Sequence, residues 1–361
     1  DIAVAGDQIA AIKPASDVAH WVALPPLADL HLHANRAFTI GDSVPKNFDD
    51  AIALVTTMAR HFTTTDYQRQ ASRLFAQIAS KGTAHARTHA DLGGVVGMQA
   101  LEGTLAARAA WLGPLNIEIV AFASNADDPL DPKTAAMLRA AHDAGAEWLG
   151  AVPAYYADPK KSIDAILDLA LALDCGVDLH LDEHLDPARS QSLYLAEAAA
   201  ARRMGARVCL SHGCAISSLP RDQQQRIADA LAAAGVTVIA LPATNLYLQD
   251  RGAHTPARRG LTAVKEMIAA GVAVRFASDN IQDVFYPYGA GDMLEIAALA
   301  ATAGHVEDPA ALVPAICGGH VGLQEGGLAD FILVSGSSLG QILAERPARR
   351  RQVVKGQSLA D

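Results

Sequence analysis

Hydrophobic and polar positions follow one repeating order along much of this chain. A helical, alanine-rich lead-in ends at a glycine, and a short apolar run follows. The order recurs in DAGAEWLGAVP, LDCGVDLHLDE, RMGARVCLSHG, AAGVTVIALP and AAGVAVRFASDN. Their glycines, Gly145, Gly176, Gly205, Gly235 and Gly271, are spaced 31, 29, 30 and 36 residues apart. A glycine just past a helix reads as its C-cap, and the β-branched run after it as a strand. A helix-to-strand unit recurring at this length predicts βα units around a parallel sheet.

Earlier segments extend the series. WVALPPLADLHLH reads as the first unit, IASKGTAHARTHAD as another, and NIEIVAFAS as a further strand. Eight strands are then expected near 24–33, 83–90, 117–123, 147–153, 177–182, 207–212, 236–241 and 272–278. Eight βα units in about 300 residues suit an α/β fold of the (β/α)8 TIM-barrel type. The G-x-G-x-x-G fingerprint of a dinucleotide fold is missing after the first strand. DIAVAGDQIAAIKP at the start, with LADFILVSG and RRRQVVKGQSLAD at the end, reads as short alternating strands. The expected division is a small two-part β-sandwich domain, 1–23 with 325–361, around a barrel domain at 24–324.

Composition narrows the partners. Of 361 residues, 51% are hydrophobic, and 29 basic against 39 acidic residues give a formal charge of −10. That balance argues against a nucleic-acid backbone or an anionic membrane as the main partner. No run is apolar enough for a transmembrane helix, and no signal-peptide pattern is visible. The chain opens abruptly at Asp1, so residues before it stay open, as does assembly into a homo-oligomer. Cys175, Cys209, Cys214 and Cys317 show no C-x-x-C spacing, and a reducing cytoplasm is the expected location.

Candidate chemistry collects where a barrel would gather it, at the C-terminal strand ends. DLHLHANR places His31 and His33 at i and i+2, on one side of a strand. VDLHLDEH ends in His180 and Glu183, CLSHG in His212, and RFASDN in Asp279. Each has an ordinary structural reading: His180 as a hydrogen-bonded core histidine, His212 or Asp279 as a helix cap. Six such residues at four strand ends are harder to explain by packing. Three imidazoles and a carboxylate suit one divalent ion, Zn2+ or Fe2+, with a position left for water. EWLGAVPA holds no lysine, so a carbamylated lysine bridging two metals is not expected there. His85 and His89 of HARTHAD divide evenly between a supporting and a structural role. The remaining histidines, His20, His61, His142, His184, His254, His305 and His320, are expected to be structural or superficial.

H-x-H after strand one, His-x-x-Glu after strand five, Ser-His after strand six and Ser-Asp after strand eight resemble the amidohydrolase superfamily. More narrowly, the chain resembles its cytosine deaminase-like branch, which includes the isopropylammelide hydrolases. The likeness spans nearly the whole chain and is strongest over 235–295, in LPATNLYLQDRGAHTPARRGLTAVKEMIAAGVAV and ASDNIQDVFYPYGAGDMLE, with HARTHAD and LGAVPA also matching. It implies that His31, His33, His180 and Asp279 ligate the metal. It further implies that Glu183 shuttles protons and that His212, with Asp279, orients and deprotonates the attacking water.

Three positions depart from the pattern of that branch. Ser124 in AFASNADD stands where cytosine deaminases carry a glutamine that reads the base edge. Asn280 follows Asp279 as in the isopropylammelide hydrolases, and Asn35 replaces an aspartate usual in both. Ser124, Asn245, Gln249 and Asn280 are the expected substrate contacts, on loops after strands three, seven and eight. The expected reaction is removal of an exocyclic amino group, as ammonia, from a cytosine-like pyrimidine or a related triazine. A cyclic amide or N-alkylamine hydrolase, a non-catalytic barrel binding protein and a purely structural metal protein are the competing readings.

Overall fold

Pro25 and Pro26 decide how the first apolar run is used. A proline has no N–H to give a sheet ladder, so a strand stops there. In the computed structural model, which describes residues 1–14, 20–41, 44–251 and 260–358, WVALPPLADLHLH accordingly divides in two. Trp21–Leu24 pairs antiparallel with Phe331–Ser335, whereas Leu27–Leu32 becomes the first barrel strand. His254 lies outside the described residues.

The barrel strands are Leu27–Leu32, Thr83–Leu92, Asn116–Ala123, Trp148–Ala151, Gly176–Leu181, Val208–His212, Thr237–Ala240 and Ala273–Phe276. They pair in parallel and in chain order as one eight-stranded sheet, the TIM-type architecture expected above. A bridge between Leu32 and Asp279 joins the first strand to the chain beyond the last. There the Asp279 N–H donates to the His31 carbonyl at 2.9 Å and the Ser278 N–H to Asp29 Oδ1 at 3.0 Å.

Helices enter with local devices legible in the sequence. Thr63 and Asp66 form a reciprocal capping box at Thr64–Ser80. Asp131 and Asp158 cap helices that begin with Pro132 and Pro159. Leu74, Phe75 and Ile78 then bury their side chains completely against the barrel wall.

The repeated glycines turn out to serve two purposes, which corrects their uniform reading as C-caps. Gly145, Gly235 and Gly271 take left-handed φ values at helix ends. Gly176 and Gly205 do not; Asp174 and Arg203 supply the left-handed residue instead. At Gly176 a Cβ would lie 2.3 Å from the Trp148 ring, and at Gly205 only 1.5 Å from the Ala234 carbonyl oxygen. Those two positions need the missing side chain, not the backbone freedom.

Both ends of the chain contribute to smaller sheets. Ile2–Ala5 and Gln8–Ile12 form a hairpin, and Trp21–Leu24, Phe331–Ser335, Arg350–Val354 and Gln357–Ser358 form a four-stranded sheet. Ile9, Ala329, Phe331 and Val353 make a separate buried cluster between them. Arg350 ties this sheet to the barrel through a bidentate pair with Asp292, at 2.8 and 2.7 Å. The helix Phe48–Ala59 belongs to neither core. It packs on Leu248, Val284 and Phe285 beyond the last two barrel strands.

Among the described residues all four cysteines are buried and unpaired with one another, and no helix is long and apolar enough to cross a membrane.

Candidate active site

Strand alternation brings the strand-end histidines together. His31, His33, His89, His180 and His212 are all buried, and their rings form one group. Ring centroids are 4.0 Å apart for His31 and His89, 4.6 Å for His31 and His180, and 5.0 Å for His180 and His212. Phe122 lies against His180, 4.3 Å from ring to ring. Donor atoms of His31, His33 and His89 lie within 4.8 Å of one another, and so do those of His31, His180 and His212. Asp279 Oδ1 is 3.4 Å from His33 Nε2 and 3.8 Å from His31 Nε2.

The electrostatics favour a cation among these groups. Burial, with the neighbouring imidazoles and, at His33, Arg36, holds His33, His180 and His212 well below the ordinary histidine range, so they are neutral lone-pair donors. His33 Nε2 and His180 Nε2 nevertheless face each other at 3.2 Å. Buried His31 Nε2, His212 Nε2 and Asp279 Oδ2 have no hydrogen-bond partner. Burying polar atoms unpaired is costly, and a divalent cation would satisfy several at once. The imidazole and carboxylate donors match zinc or ferrous iron chemistry.

Glu183 sits at the edge of this group with Oε1 3.5 Å from His212 Nδ1 and a side chain 15% exposed. Burial, reinforced by Asp279 and opposed by Arg36, pushes its carboxyl well above the ordinary range. Asp279 is raised to about 6, chiefly by burial. Asn245 Nδ2 lies 3.1 Å from His212 Nδ1. His212 and Asp279 both have left-handed backbones, with φ of 77° and 61°. A side chain is rarely held so without a tertiary reason, and such conformations gather at functional sites. Neither residue caps a helix: Gly213 occupies the cap position after His212, and Asp292 caps the helix following Asp279.

Above the histidines opens a cavity of ≈ 330 Å³ lined by His33, His180, Glu183, His212 and Asp279 at its base. Its walls are mostly apolar, with Phe48, Ile52 and Val55 of the helix Phe48–Ala59 facing Val96, Phe122 and Phe285. A more polar chamber, with Asp49, His184, Arg189 and Gln249, adjoins it through Glu183 and Tyr155. His184, expected to be structural or superficial, therefore stands beside the site.

The expected substrate contacts are placed differently from one another. Ser124 and Asn280 line the cavity, Ser124 held by Asp127 at 2.5 Å and Asn280 by Asp283 at 2.8 Å. Asn245 and Gln249 are not on a simple loop: Asn245 belongs to the helix Pro242–Leu248, and Gln249 is its capping residue. The Asn245 amide meets His212, whereas Gln249 donates to the Glu183 carbonyl and lines the polar chamber. Asn35 is fully buried and donates to Asp91 at 2.8 Å.

Sequence reasoning passed over Arg36 and Asp91, both on the cavity wall and 3.6 Å apart. The signal was a cation beside H-x-H and a carboxylate ending HARTHAD. The two histidines of HARTHAD also part company. His89 packs on His31, whereas His85 pairs with Glu118 at 3.5 Å and is one-third exposed.

Known proteins share this fold. The sequence profile of the amidohydrolase family matches residues 47–357. A pterin deaminase of Rhizobium rhizogenes is 29% identical over 100% of this chain and 87% of its own. A 5-methylcytosine deaminase of Klebsiella pneumoniae, solved with 5-fluorocytosine, superposes with a TM-score of 0.88 at 26% identity, covering 99% of this chain and 93% of its own. An N-isopropylammelide isopropylaminohydrolase of Burkholderia multivorans gives 0.82 at 28% identity, covering 100% and 94%. The chain thus belongs to the amidohydrolase family and is a metal-dependent hydrolase of carbon–nitrogen bonds other than peptide bonds.

Proposed function

We propose that this protein is a deaminase of a small amino-substituted N-heterocycle, with His31, His33, His180 and Asp279 holding one divalent ion. The observation that carries this reading is Glu183. Its half-buried carboxyl, pushed toward the protonated form, stands at the cavity base beside Asp279 and the neutral imidazole of His212. A metal-binding site without catalysis has no use for such an acid.

A divalent cation supplies Lewis acidity and lowers the pKa of water toward neutrality. The protein's own groups do the rest. His212 and Asp279 orient the water and accept its proton as oxygen bonds to the amino-bearing ring carbon. Glu183 gives its proton to the adjacent ring nitrogen, takes up the water proton held by His212 and Asp279 and delivers it to the departing amine. The hydroxyl proton released as the carbonyl forms restores the acid. Water is consumed, the C–N bond breaks, and ammonia leaves with an oxo-heterocycle as the other product. The apolar walls exclude bulk water, and Phe122, against His180, offers a flat face to a ring.

The relatives suggest which rings to try: aminopyrimidines, pterins and aminotriazines. The short Ser124 side chain weighs against cytosine itself. Ile52 and Val55 also provide an apolar wall for an N-alkyl group, which supports alkylamine removal as the second reading. The test is ammonia or amine release from such a panel, measured by product mass before and after chelation. Loss of turnover on chelation, restored by Zn2+ or Fe2+, is expected. Full turnover by metal-free protein, or ring opening without amine release, would overturn the proposal.

A further inference from the structure

Beneath the histidines lies a buried polar chain that the reaction described above does not use. Asp178 projects from Gly176–Leu181 two residues before His180 and is fully buried. The Ser211 hydroxyl donates to Asp178 Oδ1 at 2.5 Å, and Ser211 Oγ lies 2.8 Å from His31 Nδ1. A hydroxyl has one proton; once it is given to the carboxylate, the oxygen can only accept from the imidazole. His31 therefore carries its proton on Nδ1, and its bare Nε2 turns toward Asp279.

The carboxylate is itself held in place. Its Oδ2 is 3.6 Å from the Arg87 guanidinium, which lies over the Trp148 ring at 3.4 Å and donates to Glu118 at 2.9 Å. His89 Nε2 stands 3.7 Å from Asp178 Oδ1, and the His89 ring backs His31. The His31 ring is thereby fixed in both rotation and tautomer.

We propose that Asp178 and Ser211 form a positioning relay that presents His31 Nε2 to a divalent cation. The relay rests on the metal-centre reading above. Outer partners of this kind typically set metal affinity by about 10- to 100-fold, because they orient the ligand and raise its basicity.

The experiment measures Zn2+ dissociation constants by chelator competition for the wild-type chain, Ser211→Ala and Asp178→Asn. Thermal unfolding of each metal-free protein is recorded alongside. Zn2+ is expected to bind about tenfold more weakly to Ser211→Ala and up to about 100-fold more weakly to Asp178→Asn. The metal-free Ser211→Ala protein loses buried hydrogen bonds and should melt somewhat below the wild type, still in one cooperative transition. Should Asp178→Asn fail to fold, Ser211→Ala decides alone. Wild-type affinity in Ser211→Ala overturns the relay, as does weaker binding accompanied by loss of cooperative unfolding in its metal-free form. A wild-type chain that binds no Zn2+, Fe2+ or Co2+ refutes the metal centre itself, a distinct result.

Discussion

Replacing Glu183 with glutamine removes one proton from the candidate site and almost nothing else. Glutamine has the same length and can hold the same place 3.5 Å from His212, and the backbone carbonyl that accepts from Gln249 is untouched. The metal donors assigned above do not include Glu183. Binding should therefore survive and proton transfer should not. General acid–base groups contribute about 10²- to 10⁴-fold, equivalent to about 2.7–5.4 kcal/mol of barrier. Because the proton moves only in the transition state, kcat and kcat/KM should fall together while KM stays near its original value. Steady-state ammonia release, with metal content measured on the same samples, tests this. The pH profile adds a second check. Burial and Asp279 raise the Glu183 pKa, so its acid form persists to higher pH, and wild-type activity should decline as pH rises through that raised value. The alkaline decline should vanish in Glu183→Gln. Unchanged turnover refutes the assignment, and a loss that tracks missing metal shows that Glu183 acts through the metal instead.

Other predictions concern the frame around the site. Asp292→Ala removes both a helix cap and the partner of nearly buried Arg350, and should cost about 3–5 kcal/mol in urea unfolding. Arg350→Met, which leaves the Asp292 cap intact, should cost less. The His85 and Arg87 partners hold Glu118 at about 2, below the ordinary glutamate value of 4.5, despite opposing burial. The folded state thus binds this proton more weakly than the unfolded state. The resulting stability is present above pH 4.5 and is lost as pH falls toward 2. Glu118→Gln should flatten that part of the stability profile. Gly205→Ala should destabilise by about 3 kcal/mol or fail to fold, because its Cβ would press on a backbone carbonyl that has no rotamer to change.

The barrel was legible because every unit repeats one physical pattern, and a period near 30 survives even where single glycines are misread. His31 and His33 were legible because a two-residue step puts both on one strand face. What stayed hidden depends on contacts between distant parts of the chain. Ser211 and Asp178 look like ordinary strand residues until adjacent strands align; only then does the hydroxyl lie between carboxylate and His31. The equal standing given to His85 and His89 has the same origin. Parity gives them one face, but not their depth in the barrel. Arg36 was in plain view beside His33, yet only the fold turns it and Asp91 onto one wall. The helix Phe48–Ala59 was unassigned because its partners, Leu248 and Phe285, lie some 200 residues further on.

Buried Arg87 and Asp178, with half-buried Trp148 packed on Cys209, Ile239, Leu241 and Ala277, fill the barrel beneath the histidines. With the barrel filled below the site, substrate, amine and oxo-product of the proposed reaction would share the mouth beside the helix Phe48–Ala59. Occupying that mouth blocks arrival and departure alike. A flat aromatic compound seated there should compete with substrate for free enzyme, and product should inhibit competitively as it accumulates.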